Sequence, residues 1–244
     1  MAKKINPTSL RLGVTQVWDF TLQNYGKLIS RNVLYVLKQS QLKNVITQFF
    51  NLNKFLVGEQ EIWYYHNKLF LNIYFTDYII KNYSKYSSIL QSLSSLIFEW
   101  FSLKVQLRIF RRTVWASTPN MLISYADYLI KQHKNPNKVL WQLCQFLKTH
   151  LNSTKIIYST NGIRLVYLKG FQVRLVGRFD NTKNQMSKSI QQGFGTLSLM
   201  SLRNRVEFVH KELYTKLGSC GLQIWLFYEI SQEINYDQRK KNTQ

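Results

Sequence analysis

The sequence predicts an α+β protein of two domains with a basic arm in front and a polar tail behind, and three observations carry that reading. Apolar and polar residues alternate from Gly170 to Arg178, the period of a half-buried strand. Elsewhere, between Tyr25 and Phe50, Ser84 and Phe101, and Thr118 and Leu151, apolar residues recur at helical spacing. The third observation is charge: 33 Lys+Arg against 12 Asp+Glu give a formal net charge of +21. Such a balance repels itself unless a polyanion neutralises it, and the charge runs along the chain instead of forming a tail. Nucleic acid is the partner this implies; the plainer alternative is a basic, free-standing soluble protein.

Residues 1–22 read as a basic extended arm. Lys3, Lys4 and Arg11 stand among Asn6, Pro7, Ser9 and Gly13 with no helical period, so the arm is expected to order on RNA and to bury little of itself. Residues 23–116 form the first domain. Leu28, Ile29, Val33, Val36, Leu37, Val45, Ile46 and Phe49 predict one helix, or two broken near Ser40. A hairpin follows, with Ile62 and Tyr64 on one strand and Leu69, Leu71, Ile73 and Phe75 on the other, turning through His66, Asn67 and Lys68. A helix from about Ser84 to Phe101 places Ile89, Leu93, Leu96, Ile97 and Trp100 on one face, and a strand runs from Val105 to Phe110. Arg108, Arg111 and Arg112 gather at its end as candidate phosphate contacts.

Residues 117–234 form the second domain. Thr118-Pro119 reads as an N-cap followed by proline in the first helical turn, and Asn135-Pro136 repeats the device. The buried stripes are Leu122, Tyr125, Ala126 and Leu129, then Leu140, Leu143, Leu147 and Leu151. Asn161-Gly162 turns into a strand, Ile163 to Leu168. Lys169-Gly170 reads as a tight connection into the Gly170–Arg178 strand, so the two are expected to pair as a hairpin. In that second strand Phe171, Val173 and Leu175 face a core, Gln172 and Arg174 face out, and Gly177 ends the alternation. An Asn/Ser/Gln/Gly-rich loop leads to Leu197–Arg203, and Leu217 to Phe227 is a further strand. Residues 235–244 are a polar tail.

The order of the last three pieces resembles the C-terminal half of ribosomal protein three of the small subunit. In that family a strand ending Val-x-Gly-Arg is followed by Leu-x-x-Leu-Arg and closed by Tyr-Gly-x-x-Gly-Val-x-Val-Trp-Ile-Phe. Leu199, Leu202 and Arg203 match the second motif; Gly218, Gly221, Trp225 and Phe227 match the third. At the other end, Lys4-Ile5-Asn6-Pro7, Arg11-Leu12-Gly13-Val14 and Trp18 look like the family's opening. The resemblance implies a type II KH-like first domain, then two helices and a mainly antiparallel sheet. It implies rRNA, mRNA and neighbouring head proteins as partners, beside the channel where messenger enters. It also places a strand over residues 206–211, where Val206, Val209, Leu213 and Leu217 fall at helical spacing. Three departures stand out. The stretch 76–86 has no Gly-x-x-Gly clamp for RNA backbone, so the KH-like domain is expected to be degenerate, its segment a binding loop or a plain helical turn. Residues 152–161 exceed the family pattern. The Arg-Arg-x-x-Lys series of the channel helix aligns with Trp141, Gln142 and Gln145, leaving Lys131, Lys134, Lys138 and Lys148, with Trp141, as candidate messenger contacts.

The remaining candidate RNA contacts are Arg164, Arg174, Arg178, Arg203 and Arg205. Enzyme chemistry has no evident residues: no paired carboxylates, Walker loop, nucleophile elbow or His/Cys pair appears. Cys144 and Cys220 lie too far apart in sequence for a zinc knuckle and read as small core residues, and the four histidines are scattered, so no metal or cofactor is expected. No apolar run approaches membrane length, and no small-molecule substrate is indicated. The opening motif leaves no room for a presequence, and the Lys/Asn/Ile/Phe/Tyr-rich usage suggests an organelle-encoded mitochondrial protein. The functional expectation is a structural rRNA-binding component of the mitochondrial small subunit; the alternative is a free organellar RNA-binding or intron-maturation factor.

Overall fold

The computed structural model describes residues 5–17, 29–53, 55–65, 68–76, 86–101, 104–112, 115–132, 135–160, 162–179, 186–215 and 218–230. It is α+β, with helices and two sheets, and contacts divide the chain into two units, residues 19–125 and residues 1–18 with 126–244.

The first unit runs through α1 (Ile29–Leu52), β1 (Leu56–Tyr65), β2 (Lys68–Thr76), α2 (Tyr86–Phe101) and β3 (Lys104–Arg111). The periodicity around Ser40 resolves as one continuous helix. β1 and β2 pair antiparallel as the expected hairpin, while β3 joins β2 in parallel, giving a three-stranded sheet in the order β1-β2-β3. A parallel pair needs a crossover, and α2 supplies it. Leu69, Leu71, Ile73 and Phe75 all point to one face of β2, where they meet Leu42, Ile46 and Phe50 of α1 and Leu93 and Ile97 of α2. Those helical residues repeat every four positions, which keeps them on a single line. Leu37, Val45, Leu96 and Trp100, expected on the buried faces, lie off that line and are exposed.

The chain continues through α3 (Pro119–Gln132) and α4 (Pro136–Thr149). Asn135 makes no side-chain cap, so at α4 it is the proline in the first turn that sets the start. Leu140, Leu143 and Leu147 are buried as the stripe requires. The second unit's five-stranded sheet has the order β4-β5-β8-β7, where β4 is Thr154–Ser159, β5 Gly162–Gly177, β7 Arg205–Thr215 and β8 Gly218–Ile230; β6 (Lys188–Gly195) pairs with β5 beyond β4. All its ladders are antiparallel.

Four expectations change here. Lys169-Gly170 is no turn: β5 runs straight through, with a register shift between Leu168 and Gly170 against β8. Glycine is required there by close approach, since a Cβ on Gly170 would lie 2.5 Å from the Thr196 carbonyl oxygen. The hairpin partner of β5's first half is β4, which occupies most of the stretch 152–161. The polar loop after Arg178 contains β6, an almost wholly exposed edge strand whose Ser/Gln/Gly composition hides its period. Residues 205–215 form a strand to Thr215, four residues beyond the expected end and without helix. The glycine that closes β5 has its own reason: a Cβ on Gly177 would meet Cys220 Sγ at 2.5 Å and its Cα at 3.0 Å.

The arm departs furthest from expectation. Residues 5–17 fold onto the second unit, with a short 3-10 turn over Ser9–Arg11. Arg11 is fully buried. Its Nε donates to the Asn204 carbonyl at 3.0 Å, Nη1 to Pro7 at 2.9 Å, and Nη2 to Leu199 and Ser201 at 2.8 Å each. The opening motif and the Leu-x-x-Leu-Arg motif are therefore two halves of one structure. Burial pushes the Arg11 guanidinium below its ordinary value, but that value starts so high that the group stays charged in neutral solution. Gln16 Nε2 donates to the Val206 carbonyl at 2.9 Å, and the Ser159 and Thr160 hydroxyls donate to the carbonyls of Thr15 at 3.0 Å and Val14 at 2.9 Å. The segment thus stitches the end of β4 to the start of β7. We expect Arg11→Ala to lower the stability of the full chain by roughly 2–4 kcal/mol, through four orphaned carbonyls and a cavity. Arg11→Lys should recover little, because an ammonium lacks the fork. Urea denaturation checks this; an unchanged midpoint for Arg11→Ala contradicts it.

Candidate RNA-binding surface

The sheet register of the second unit brings side chains from four strands into a row. Gln191 of β6 is opposite Arg174 of β5, Arg174 opposite Gln223 of β8, and Gln223 opposite His210 of β7. Directly opposed residues share a face. Gln191 and His210 are exposed and Arg174 and Gln223 half-buried, so the row is a polar strip with one half-buried cation. Beside it Val206, Trp225 and Phe227 form a small cluster against which Leu199 and Phe208 pack. Leu199 is how the Leu-x-x-Leu-Arg loop is pinned to the sheet. Arg203, four residues on, is left exposed. Of this row sequence reasoning found only Arg174; Gln191, Gln223 and His210 become visible only once strand pairing fixes the register.

Arg205 has a different fate. Its Nε donates to Glu207 Oε1 at 3.1 Å and its Nη1 to the Tyr158 carbonyl at 3.3 Å. The same carboxylate receives Lys155 Nζ at 3.0 Å on each oxygen, and the Lys155 and Glu207 side chains are only 9% and 8% exposed. Like Arg11, Arg205 is therefore engaged in holding the unit together, a role that its reading as a candidate RNA contact did not include. Lys155, unremarked in the sequence, completes this ion cluster. Arg178 is half-buried at the end of β5.

In the first unit Arg108 and Arg111 are exposed. The Arg112 guanidinium sits 4.3 Å from the centre of the Tyr74 ring, and Tyr74 stacks on Phe110 at 5.4 Å. Arg108 lies opposite Asn72 on the same sheet face as Tyr74 and Phe110, away from the helices. On α4, Lys138, Trp141, Gln145 and Lys148 are all exposed, opposite the leucine stripe. Lys148 Nζ approaches the Phe194 ring at 5.3 Å, and on α3 Lys131 pairs with Asp127 at 3.3 Å. Lys3, Lys4, Lys134 and the stretch 77–85, where a KH clamp would fall, lie outside the described residues. Both cysteines are buried, and burial pushes the Cys144 thiol up to about 11 against the opposing influence of Lys148, which leaves it unreactive at neutral pH. No described helix is long and apolar enough to cross a membrane.

No protein-family model matches the chain. Over 240 residues it is 42% identical to the small ribosomal subunit protein uS3m of Chondrus crispus, covering 98% of this chain and 99% of that one. It is 23% identical over 239 residues to the small ribosomal subunit protein uS3c of Euglena longa and 24% over 244 residues to that of Epifagus virginiana, with 99% of each relative covered.

The two kinds of arginine are separable by stability. Glu207→Gln should cost about 3–5 kcal/mol, since it leaves Lys155 buried without its counter-charge. Arg205→Ala should be clearly destabilising too, whereas Arg203→Ala should stay within about 0.5 kcal/mol of the wild type. Denaturant unfolding of the full-length variants decides it, and equal midpoints for Arg203→Ala and Arg205→Ala would contradict the assignment.

Proposed function

The chain belongs to the uS3 family of small ribosomal subunit proteins, mitochondrial type, and on that premise we propose that it binds small-subunit rRNA in the head of the subunit, beside the messenger entry channel. It is a structural constituent of the mitochondrial ribosome and not an enzyme. The observation that supports rRNA contact is electrostatic. A chain of +21 keeps Arg108 and Arg203 exposed, and Arg174 at the centre of a polar sheet face, while Arg11 and Arg205 are held by internal partners. Affinity then comes mainly from counterion release and falls steeply with salt.

The helix–strand–strand–helix–strand order of the first unit, with its mixed sheet, supports a KH-like scaffold. Its RNA contacts would come from Arg108, Arg111 and Arg112 and from aromatic rings, in place of a glycine clamp. In the second unit, the exposed side of α4 faces messenger with Lys138, Trp141 and Lys148 in place of a full basic series. Neutral Gln145 cannot replace a cation's hold on phosphate, so messenger meets fewer helix contacts there. Neighbouring small-subunit proteins cover part of the remaining surface.

Sedimentation tests this reading. The wild-type chain should co-migrate with small subunits at moderate salt and dissociate as salt rises. Arg178→Ala and Arg203→Ala should reduce incorporation more than Cys144→Ala or His150→Ala does. Messenger crosslinks in stalled ribosomes should map to Lys138, Trp141 or Lys148. A chain that stays at the top of the gradient, or equal incorporation of all four variants, would refute the proposal; strong messenger crosslinks confined to Gln142 and Gln145 would refute the part concerning α4.

A further inference from the structure

The face of the first unit's sheet that points away from α1 and α2 carries four aromatic rings, and two of them stand open to solvent: Trp63 is 61% exposed and Phe110 43%. Strand pairing sorts the face into rows. Trp63 lies opposite Phe70, which has Gln106 on its other side, and Tyr74 lies opposite Phe110. Between these rows Asn72 has Glu61 on one side and Arg108 on the other. Resting on the reading of the chain as an rRNA-bound component, we infer that this face is a platform for a short stretch of unpaired RNA, with one base stacked at Trp63 and Phe70, another at Phe110, and Arg108 on a phosphate oxygen.

The order of polar and apolar groups is the first argument. A protein interface has an apolar centre within a polar rim. Here that order is inverted: Glu61, Asn72 and Arg108 form the middle row, with rings on both sides. Phe70 and Tyr74 are four residues apart on β2, about 13 Å at the rise of a strand, so the rings make two platforms instead of one patch. Unpaired nucleotides have the matching character, since each offers a flat face to stack and polar edges and a phosphate to hydrogen-bond. The contacts within the face are the second argument. Arg112 is engaged on the Tyr74 ring, 4.3 Å from its centre, and Tyr74 stacks on Phe110 at 5.4 Å, so the fold already fixes Phe110 in place for a ligand. Asn72 Nδ2 donates to Glu61 Oε2 at 3.2 Å, which holds the carboxylate on the β1 side, while Arg108 is exposed on β3. This polarity suits a phosphate backbone along β3 with bases turned toward β1, where a carboxylate accepts from a base's amino group. The third argument is what the sequence lacks. The stretch 76–86 offers no glycine clamp for RNA backbone, and a stacking face needs none.

The test uses the full chain, a short oligoadenylate either single-stranded or annealed to oligouridylate, and a small-subunit rRNA transcript. The chain should bind the single strand more tightly than the duplex. Trp63→Ala and Phe110→Ala should each weaken single-strand binding by about five- to a hundredfold, the loss of one stacked base, without changing its salt dependence. Arg108→Gln should instead flatten the slope of log K against log salt by about 0.7, one phosphate contact on a single strand. Trp63→Phe and Phe110→Tyr keep a ring at each position and should retain most of the affinity, which also controls for misfolding. A benzophenone side chain placed at Gln106, beside Phe70, should crosslink to a nucleotide in reconstituted subunits. Alanine variants that bind the single strand as the wild type does, ring-keeping variants as weak as the alanine ones, a duplex bound as tightly as the single strand, or a Gln106 crosslink to protein would overturn the platform while leaving the broader rRNA reading intact. A wild-type chain with no salt-dependent affinity for the transcript would overturn that reading, and the platform with it.

Discussion

Arg11 donates four hydrogen bonds to main-chain carbonyls, three of them on a loop about 190 residues away, and the second unit is arranged around that contact. The loop from Leu199 to Asn204 has no strand or helix of its own to satisfy its carbonyls. Buried carbonyls without donors are costly, and arginine is the side chain that brings several donors and no acceptor. Once the loop is held, Leu199 rests on the Val206–Trp225–Phe227 cluster and Arg203 projects outward. The same N-terminal segment reaches Ser159, Thr160 and Val206, so that fixing one arginine also fixes the rim of the sheet.

This arrangement explains how so basic a chain packs without internal repulsion. Cations in the interior are matched locally: Arg11 by carbonyl dipoles, Lys155 and Arg205 by Glu207. Such matching is structural, and a buried charge of this kind is strongly destabilising only when its partner is removed. Arg108 and Arg203 lie exposed on the surface, where a position already set by the fold lowers the cost of ordering a side chain on a ligand.

Much of the architecture was legible because it follows from period. The i, i+4 repeats at Leu93/Ile97 and Leu143/Leu147, the alternation in β2, and the prolines that open α3 and α4 each state their element directly. The failures share a cause, which is that contacts with main chain leave no pattern in side chains. Arg11 among Asn, Pro and Gly reads as a mobile arm because its partners are carbonyl oxygens. Lys169-Gly170 reads as a turn because nothing local shows that the Thr196 carbonyl needs the space a Cβ would fill. β6 reads as loop because neither of its faces is buried, so it has no alternation to display. Of the candidate site, Arg203 was found through its motif and Arg205 as the next arginine beyond it, and neither signal shows that one is exposed while the other is paired. Only the position of Glu207 across the fold from Lys155 does that.

The most direct test is an electron cryo-microscopy map of the mitochondrial small subunit containing this chain, with side chains resolved. The account predicts that Arg11 remains on the Leu199 and Ser201 carbonyls, Arg205 remains on Glu207, and Arg203 lies about 3 Å from an rRNA phosphate oxygen. A map in which Arg11 has swung out to a phosphate, with the Leu199–Asn204 loop detached from the N-terminal segment, would contradict it.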